Sequence, residues 1–484
     1  MKTQMTRREL LRIAGVGLAG LALAACQPKV VEVTRVVKEE VEKVVKETVV
    51  VKEAVEVEKE VTRVVEKEKV VEKVVEKGPA QLPKMKLRFG YGGWAKEMAD
   101  VVIANFQSVE PNVDVEIEVI AGDFIQKLYT MAAAGTTPDA QWIADAHVMN
   151  LAHNKVMLDM KPLAEAEGAE LLEDVYPAMR ALGEWAGGLY MLAWAADAPV
   201  MYYNKDLFAK AGVPEPDPLG MKVDEFQLAC QKLTNEAEQV YGTNIPESWW
   251  AVYVPWIVGF GGSFYNEDKT KVLIDSPQAI EACQALADLY CKYKGHVPRG
   301  AQLGGDPFMI QKSATMITNR IGCFNIRKAQ VKFDWDVCLP PIQPVKHTCG
   351  SGTMGPGVSA AAQKRGTHVA AWKLVSTILK PATQRHFARQ YMSIPVLMSM
   401  AKDPAWYDLP APPANRDVFL EIFNGRAITP PQPKDPNCGT VYVGETNKIM
   451  NEAWEKMVIG CEPAATVFPE AAARINDCIA RGGK

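Results

Sequence analysis

Eleven tryptophans and six histidines are the side chains of this 484-residue sequence best suited to chemistry or ligand contact, and the two groups are spread differently. The histidines (His147, His153, His296, His347, His368, His386) form no HExxH or other metal-ligand spacing. No Cys-x-x-Cys occurs, so zinc, haem and dithiol chemistry lack their residues. No G-x-S-x-G elbow and no phosphate-binding G-x-x-x-x-G-K is present. Gly350-Ser351-Gly352-Thr353-Met354-Gly355 spells G-x-G-x-x-G, but a dinucleotide fingerprint must open a helix. Here Pro356-Gly357 follows, so the stretch reads as a chain crossing between domains. Carboxylates are abundant, yet nothing selects an acid pair of the glycosidase kind. The expectation is no catalytic residue, no metal and no cofactor.

The tryptophans are the stronger signal. Trp142, Trp185, Trp194, Trp249, Trp250 and Trp256 gather with Tyr190, Tyr202, Tyr203, Tyr253 and Tyr265 in one half of the chain. An indole offers a flat polarisable face with a donor at its edge. Such faces suit pyranose rings, whose C–H bonds stack while Asp, Asn and Arg bind the hydroxyls. Most tryptophans of a large globule are core, and Trp372, on the apolar side of a helix, belongs there. Trp249-Trp250 differs, because neighbours at a helix start cannot both face inward.

The elements that must position these residues begin at Lys84. Met85 to Tyr91 is a short apolar strand, and Glu97 to Val109 has helical spacing. Val113, Val115, Ile117 and Val119 alternate with acids, a period-two strand. A helix is expected over Asp123 to Ala134, then a strand at Ala140 to Ile143. This alternation predicts right-handed crossovers and a parallel sheet flanked by helices. Ligands of such sheets bind beyond the carboxyl ends of the strands, where Trp94, Trp142 and Asp145 fall. Further on, Pro199 to Tyr203 reads as a strand, and Asp224 to Asn235, Ser276-Pro277 to about Lys294 and Thr367 to Leu379 as helices. These make a second α/β lobe. Pro410 to Pro436 reads as irregular surface chain.

Two segments precede the globule. Lys2, Arg7, Arg8 and Arg12 flank the uncharged apolar run Ile13 to Ala25, which is the pattern of an export signal (residues 1–25), too short to span a bilayer. Thr6 to Arg12 resembles the twin-arginine motif. Leu23-Ala24-Ala25-Cys26 resembles a lipobox, in which Cys26 would carry the lipid. Residues 26–83 then form a Val/Glu/Lys stalk. Val30, Val37, Val44 and Val51, and after a skip Val57, Val64 and Val71, lie seven apart. That stripe is compatible with a self-associating coiled coil or with a charged tether. Of the ten cysteines, those beyond Cys26 are odd in number, so at least one cannot pair within the chain. Cys283 and Cys291 lie too far apart on one helix to bridge. The composition, 48% hydrophobic and 23% charged with net charge −4, excludes a disordered chain and gives no footprint for nucleic acid.

Several passages, in order, resemble the family 1 extracellular solute-binding proteins of ABC importers, the maltose-binding-protein-like group. Tyr203-Asn204-Lys205-Asp206-Leu207-Phe208 with Ala211-Gly212-Val213-Pro214 matches the YNKDLF…AGV signature closely. Pro138-Asp139, Gly187 to Leu192, Asp224-Glu225-Phe226 with Lys232-Leu233-Thr234, Phe308 to Met316, Trp335 to Pro340 and Ala370 to Leu374 follow its other motifs, covering roughly Met85 to Pro395. The resemblance implies a periplasmic-binding-protein-like fold of two α/β lobes with a hinge and a cleft. Lobe I would be 84–194 with 353–393, and lobe II 195–352 with 394–484. The chain would cross near Ala193 to Val200, near Thr348 to Gly352 and near Ser393 to Pro395. It carries the ligand role onto Trp94, Trp142, Asp145, Trp194, Asp197, Trp249, Trp250, Asn319, Arg320 and Ser351. Two departures stand out: Arg320-Ile321-Gly322 replaces a tryptophan after Asn319, and the usual proline near 193 is missing.

These readings describe a lipoprotein on the outer face of the cytoplasmic membrane. It captures a small solute, a sugar or oligosaccharide, and delivers it to the membrane subunits of an ABC permease. The alternatives are a lipid-anchored carbohydrate-active enzyme, or a receptor for a phosphorylated polyol or polyamine.

Overall fold

The computed structural model describes residues 82–92, 95–167 and 170–483, with the backbone of 37–49 and 57–69. The export-signal residues, Cys26 and Trp94 lie outside the described residues. The chain divides after Pro83 into two units. In the first, Val37–Val49 runs antiparallel to Val57–Lys69, with Val37 opposite Lys69 and Val49 opposite Val57. The seven-residue valine spacing left a coiled coil or a charged tether open, and the described backbone is instead an antiparallel ladder, which corrects the coiled-coil alternative. A β-branched side chain loses rotamer freedom in a helix and fits a pleated ladder, so a Val-rich segment without Gly or Pro can satisfy its backbone by pairing with itself.

The second unit is built on two four-stranded sheets. In the first, Met85–Tyr91 lies parallel between Val113–Val119 and Ala140–Ala144, and Met354–Val358 adds antiparallel beyond Ala140–Ala144. The three parallel strands are those the alternation predicts; the fourth arrives from far along the chain. Val113–Val119 is the edge strand, which explains why its alternation is only half used: Val113 and Val115 are buried, whereas Ile117 and Val119 are exposed. The second sheet runs Trp335–Cys338, Val200–Asn204, Ser313–Thr318, Tyr241–Asn244. Its Val200–Asn204 strand is antiparallel to both neighbours.

Local chemistry sets the element ends. Asp123 caps the helix Phe124–Ala133 by accepting from Gln126 N at 3.0 Å. Ser276 caps Pro277–Cys291, with proline at the first position, where its missing N–H costs nothing. The YNKDLF stretch does three jobs. Asn204 ends its strand and caps Lys205–Lys210 through Leu207 N at 3.0 Å. Tyr203 packs edge-on to Phe208. Lys205 lies 3.2 Å from Glu215 and 3.7 Å from Asp336. Thr367 to Leu379 is the helix His368–Ser376 plus one tighter turn, and Trp372 is buried with its Nε1 donating to Glu167 at 2.6 Å. The stretch 410–436 is mostly irregular, with the short helix Asp417–Glu421 and the strand Ala427–Ile428 inside it.

The chain passes from the first sheet to the second between Leu192 and Val200 and returns to the first at Met354–Val358. Leu192 N and Trp194 N donate to the carbonyls of Pro356 and Met354, both at 3.0 Å, and six residues later Val200 enters the second sheet. Cys349–Gly350 pairs parallel to Ala427–Ile428 before Met354–Val358 joins the first sheet, so the G-x-G-x-x-G stretch is a crossing. Ala196 N donates to Ile394 O, which joins the first crossing to the third. Two helices, Gly444–Val458 and Ala464–Ala480, follow. Disulfides Cys291–Cys461 and Cys438–Cys478 tie this tail to the helix Pro277–Cys291 and to itself. Cys230, Cys283, Cys323, Cys338 and Cys349 are buried thiols.

The first and second crossings approach so closely that one needs glycine. A β carbon on Gly355 would sit 1.8 Å from the Leu192 carbonyl oxygen, which is backbone and has nowhere to go. Gly355→Ala is expected to cost about 1–3 kcal/mol, the usual range for overpacking. Calorimetry of the full chain would show this as a lowered thermal midpoint, and an unchanged midpoint would mean the crossing strands can shift freely.

Candidate functional site

The site is built where the crossings meet the ends of the strands. Asp145 begins the helix Asp145–His153 directly after the strand Ala140–Ala144. Its Oδ1 accepts from Ala146 N at 2.7 Å and from the Tyr442 hydroxyl at 3.2 Å, and its Oδ2 accepts from Thr353 N at 2.9 Å. Asp197 stands on the first crossing. Its Oδ1 accepts from Arg320 N at 3.0 Å, and its carbonyl accepts from Gly352 N at 3.2 Å. Ser351, buried on the second crossing, donates to Ile428 O at 2.8 Å. The structure thus brings Asp145, Asp197, Arg320 and Ser351 to one seam, although they come from four separate stretches of sequence.

Arg320 is 3% exposed. Its guanidinium lies 4.5 Å from the ring centre of Phe419 and 5.8 Å from that of Trp406. Its Nε and Nη1 are buried without a hydrogen-bond partner, as is Oδ1 of neighbouring Asn319. A buried unmet donor on a charged group is costly, so an acceptor that reached these nitrogens would relieve that cost. The Asn319 carbonyl accepts from the Tyr202 hydroxyl at 2.9 Å, which holds the loop in place.

Burial dominates the electrostatics. Loss of hydration pushes the Asp145 carboxyl up to about 6, although hydrogen bonds from Thr353, Ala146 and Tyr442 pull it down. Asp197 is pushed up to about 7 for the same reason, offset by the backbone donors of Arg320 and Ala198 and by the Arg320 charge, and raised further by Asp145. Tyr442 is driven well above the usual phenol range by burial and the Asp145 charge, so it stays a donor to that carboxylate.

The predicted aromatics part company. Trp142 is fully buried, and so is Trp250, whose ring meets Tyr442 edge-on at 5.6 Å. Trp194 packs edge-on against Phe387 and Tyr391. In this conformation these three present no open face. Trp249, at the N-cap of the helix Trp250–Gly259, is half-buried and packs against the same core that holds Trp250, so the expected inward–outward split is not seen. The void enclosed by Trp194, Asp197, Arg320, Tyr391 and Ser393 is only about 10 Å³. The seam is therefore shut on itself.

Two contributors were not legible in the sequence. Gln384, fully buried, donates to Trp194 O at 3.0 Å and accepts from Val396 N at 2.8 Å, clamping the first and third crossings together. Tyr442 reaches Asp145 from the C-terminal tail, four residues after the disulfide cysteine Cys438. Nothing in the local pattern of either residue marks it. Among the described residues, no cluster of His, Cys, Asp or Glu could hold a metal, and no helix is long and apolar enough to cross a membrane.

Residues 102–414 match the family described as bacterial extracellular solute-binding protein. A maltotriose-binding protein of Pyrococcus abyssi is 26% identical over 298 residues, which is 60% of this chain and 60% of that protein. An sn-glycerol-3-phosphate-binding periplasmic protein of Agrobacterium fabrum is 23% identical over 306 residues, 60% of this chain and 66% of that one. Among solved structures, an ABC substrate-binding protein of Listeria monocytogenes in complex with cycloalternan aligns with a TM-score of 0.71 at 24% identity, over 82% of this chain and 99% of that chain. The shared fold is two α/β lobes with a hinge.

The raised carboxyls give a pH dependence of definite sign. A carboxyl raised from 3.8 unfolded to about 7 folded binds more protons in the folded state across that interval. Its contribution is greatest at low pH and is lost as pH rises through about 7. Asp197→Asn removes that term, so its thermal midpoint should gain on the wild type steadily between about pH 5 and about pH 8. A difference that stays flat over this range, read by parallel thermal melts, would mean that Asp197 keeps an ordinary carboxyl.

Proposed function

The chain belongs to the bacterial extracellular solute-binding proteins, and we propose that it is a lipid-anchored receptor of an ABC importer that captures a neutral oligosaccharide by lobe closure. Family membership places it outside the cytoplasm. In this reading Cys26 carries the lipid. Lobe I is 84–194 with 353–393, lobe II is 195–352 with 394–484, and the closed pair is what the permease recognises.

The observation that carries the proposal is the meeting of two carboxylates and one guanidinium at the crossings. Asp145 accepts from the Thr353 N–H and Asp197 from the Arg320 N–H, so the three side chains meet where separating the lobes would uncover them. Carboxylates accept from sugar hydroxyls, and the unmet Nε and Nη1 of Arg320 donate to them. A ligand that replaces self-contacts of the seam with better ones shifts the population toward closure, with no covalent step. The maltotriose-binding relative supports this class. The glycerol-phosphate-binding relative and the unmet Arg320 nitrogens favour a second reading, a phosphorylated polyol. Against it, an anion would approach two carboxylates for one arginine.

Calorimetric titration of the full chain separates these. Neutral α-1,4-linked glucose oligomers are expected to bind and sn-glycerol 3-phosphate is not, and the reverse order would select the second reading. Asp145→Asn is expected to weaken sugar binding by about tenfold to a hundredfold, the worth of a hydrogen bond to a charged group. Mass spectrometry of the recovered sugar should show it intact. Shortened products would overturn the receptor in favour of a carbohydrate-active enzyme.

A further inference from the structure

The two paired strands of the stalk carry unlike faces. In an antiparallel pair, opposite residues lie on one face, and so does every second residue along each strand. The register therefore sorts Val37–Val49 and Val57–Lys69 into two sets. One holds the opposite pairs Val41–Val65, Val45–Val61 and Val49–Val57, together with Val37. Among these valines stand Lys43, Lys59, Arg63, Lys67 and Lys69 against two acids, Glu39 and Glu47, a net charge of +3. The other set has only Val44 and Val64 as apolar residues. It places Glu40, Glu42, Glu58, Glu60, Glu66 and Glu68 against two lysines, Lys38 and Lys46, a net charge of −4.

We propose that the valine-and-lysine face of this ribbon is a membrane-docking surface that lies on anionic phospholipid headgroups, with the glutamate face toward water. The proposal takes its position from the lipid anchor of the receptor reading but its chemistry from the ribbon alone. It goes beyond that reading by making the stalk a contact rather than a tether.

A two-stranded ribbon is marginal alone in water, since a single layer cannot cover its own apolar face. Whatever covers this one must accept rows of valine and a surplus of cations together. A second copy laid face to face would set +3 against +3, which repels. A bilayer interface accepts both. Its acyl boundary takes apolar side chains, and the long stems of lysine let an ammonium group stay among the phosphates. An anionic surface attracts basic residues and repels acidic ones, so a ribbon with its charge divided in this way has one preferred side down. Within the valine face, Glu39 lies opposite Lys67 and Glu47 opposite Lys59, so both acids are neutralised across the ladder. Lys43, Arg63 and Lys69 remain as the surplus, and Lys43 and Arg63 are themselves opposite each other. Two like charges held side by side oppose pairing unless an anion lies over them. Distance allows the contact as well. Val37 begins eleven residues after Cys26, at most roughly 40 Å of extended chain. A lipid on Cys26 therefore keeps the ribbon at high effective concentration beside the surface.

The test is co-sedimentation of the mature chain from residue 26, carrying Cys26→Ser so that no lipid is attached. One set of vesicles is about 30% phosphatidylglycerol in phosphatidylcholine, and the other is phosphatidylcholine alone. The chain is expected to bind the anionic vesicles at least about tenfold more tightly than the neutral ones. Lys43→Gln with Arg63→Gln, on the valine face, should lower the anionic affinity by about tenfold or more. Lys38→Gln with Lys46→Gln, on the glutamate face and with the same loss of charge, should change it by less than about threefold. Removing the Lys43 and Arg63 charges relieves a like-charge pair, so that variant keeps its ladder. Equal losses in the two variants would mean a charged tether without faces. Equal binding to both kinds of vesicle, or binding to neither, would mean that headgroup charge is not what the ribbon meets. Each of these results overturns the proposal. So does a dimer, seen by sedimentation velocity without vesicles, that Val45→Asn with Val61→Asn disperses, because the face then belongs to a second copy. The anchor is read separately, from the mass of the N-terminal peptide of the native chain, and sugar titration is unaffected by any of these outcomes, so the receptor reading stands or falls by itself.

Discussion

A carboxylate in a seam between two packed lobes must be supplied with donors, and here the adjacent Ala146 and Ala198 N–H groups are joined by donors from distant parts of the chain. Asp145 depends on Thr353 of the second crossing and on Tyr442 of the tail, and Asp197 depends on Arg320. Without them the charge would be buried unpaired, at a cost of several kcal/mol. The positions of the crossings, the loop after Ser313–Thr318 and the tail are thereby tied to one another. Gln384 completes the arrangement by satisfying backbone groups of the first and third crossings with one amide.

This constraint also makes the seam useful. Its contacts are polar, few and incompletely satisfied, since burial raises both carboxyls and leaves Arg320 nitrogens unmet. A hydrophobic seam would close for good. A seam with unmet donors and reluctant charges closes weakly alone and better around a molecule with hydroxyls, which is the differential affinity that population shift requires. The tail disulfides matter in the same way. Cys438–Cys478 and Cys291–Cys461 hold the segment that presents Tyr442, so one contact across the seam is held by covalent bonds at the lobe's periphery.

Much of the framework was legible because it is local. The strand Val113–Val119, the capped helices after Asp123 and Ser276, and the strand-to-helix step at Asn204 follow from alternation and from short side chains that accept backbone N–H groups. The stalk was not legible in this way. Valines seven apart suit a helical stripe, yet the described backbone is an antiparallel ladder, and periodicity alone does not choose between them when the residue is β-branched. The tryptophans show a second limit. Trp142, Trp194 and Trp250 sit in the right elements, but their exposure depends on neighbours such as Phe387, Tyr391 and Tyr442 from far along the chain.

By itself the sequence determined an α/β order of elements and, through motifs such as Tyr203 to Phe208, the class of molecule it resembles. Those properties rest on spacing within a few residues of each other. Only the tertiary structure decided which acids face which donors, which cysteines pair, and that Tyr442 and Gln384 belong to the seam. The physical reason is that a binding site here is made by convergence of segments up to 297 residues apart, as for Tyr442 and Asp145. The free energy of such contacts depends on burial and distance, which no local pattern encodes.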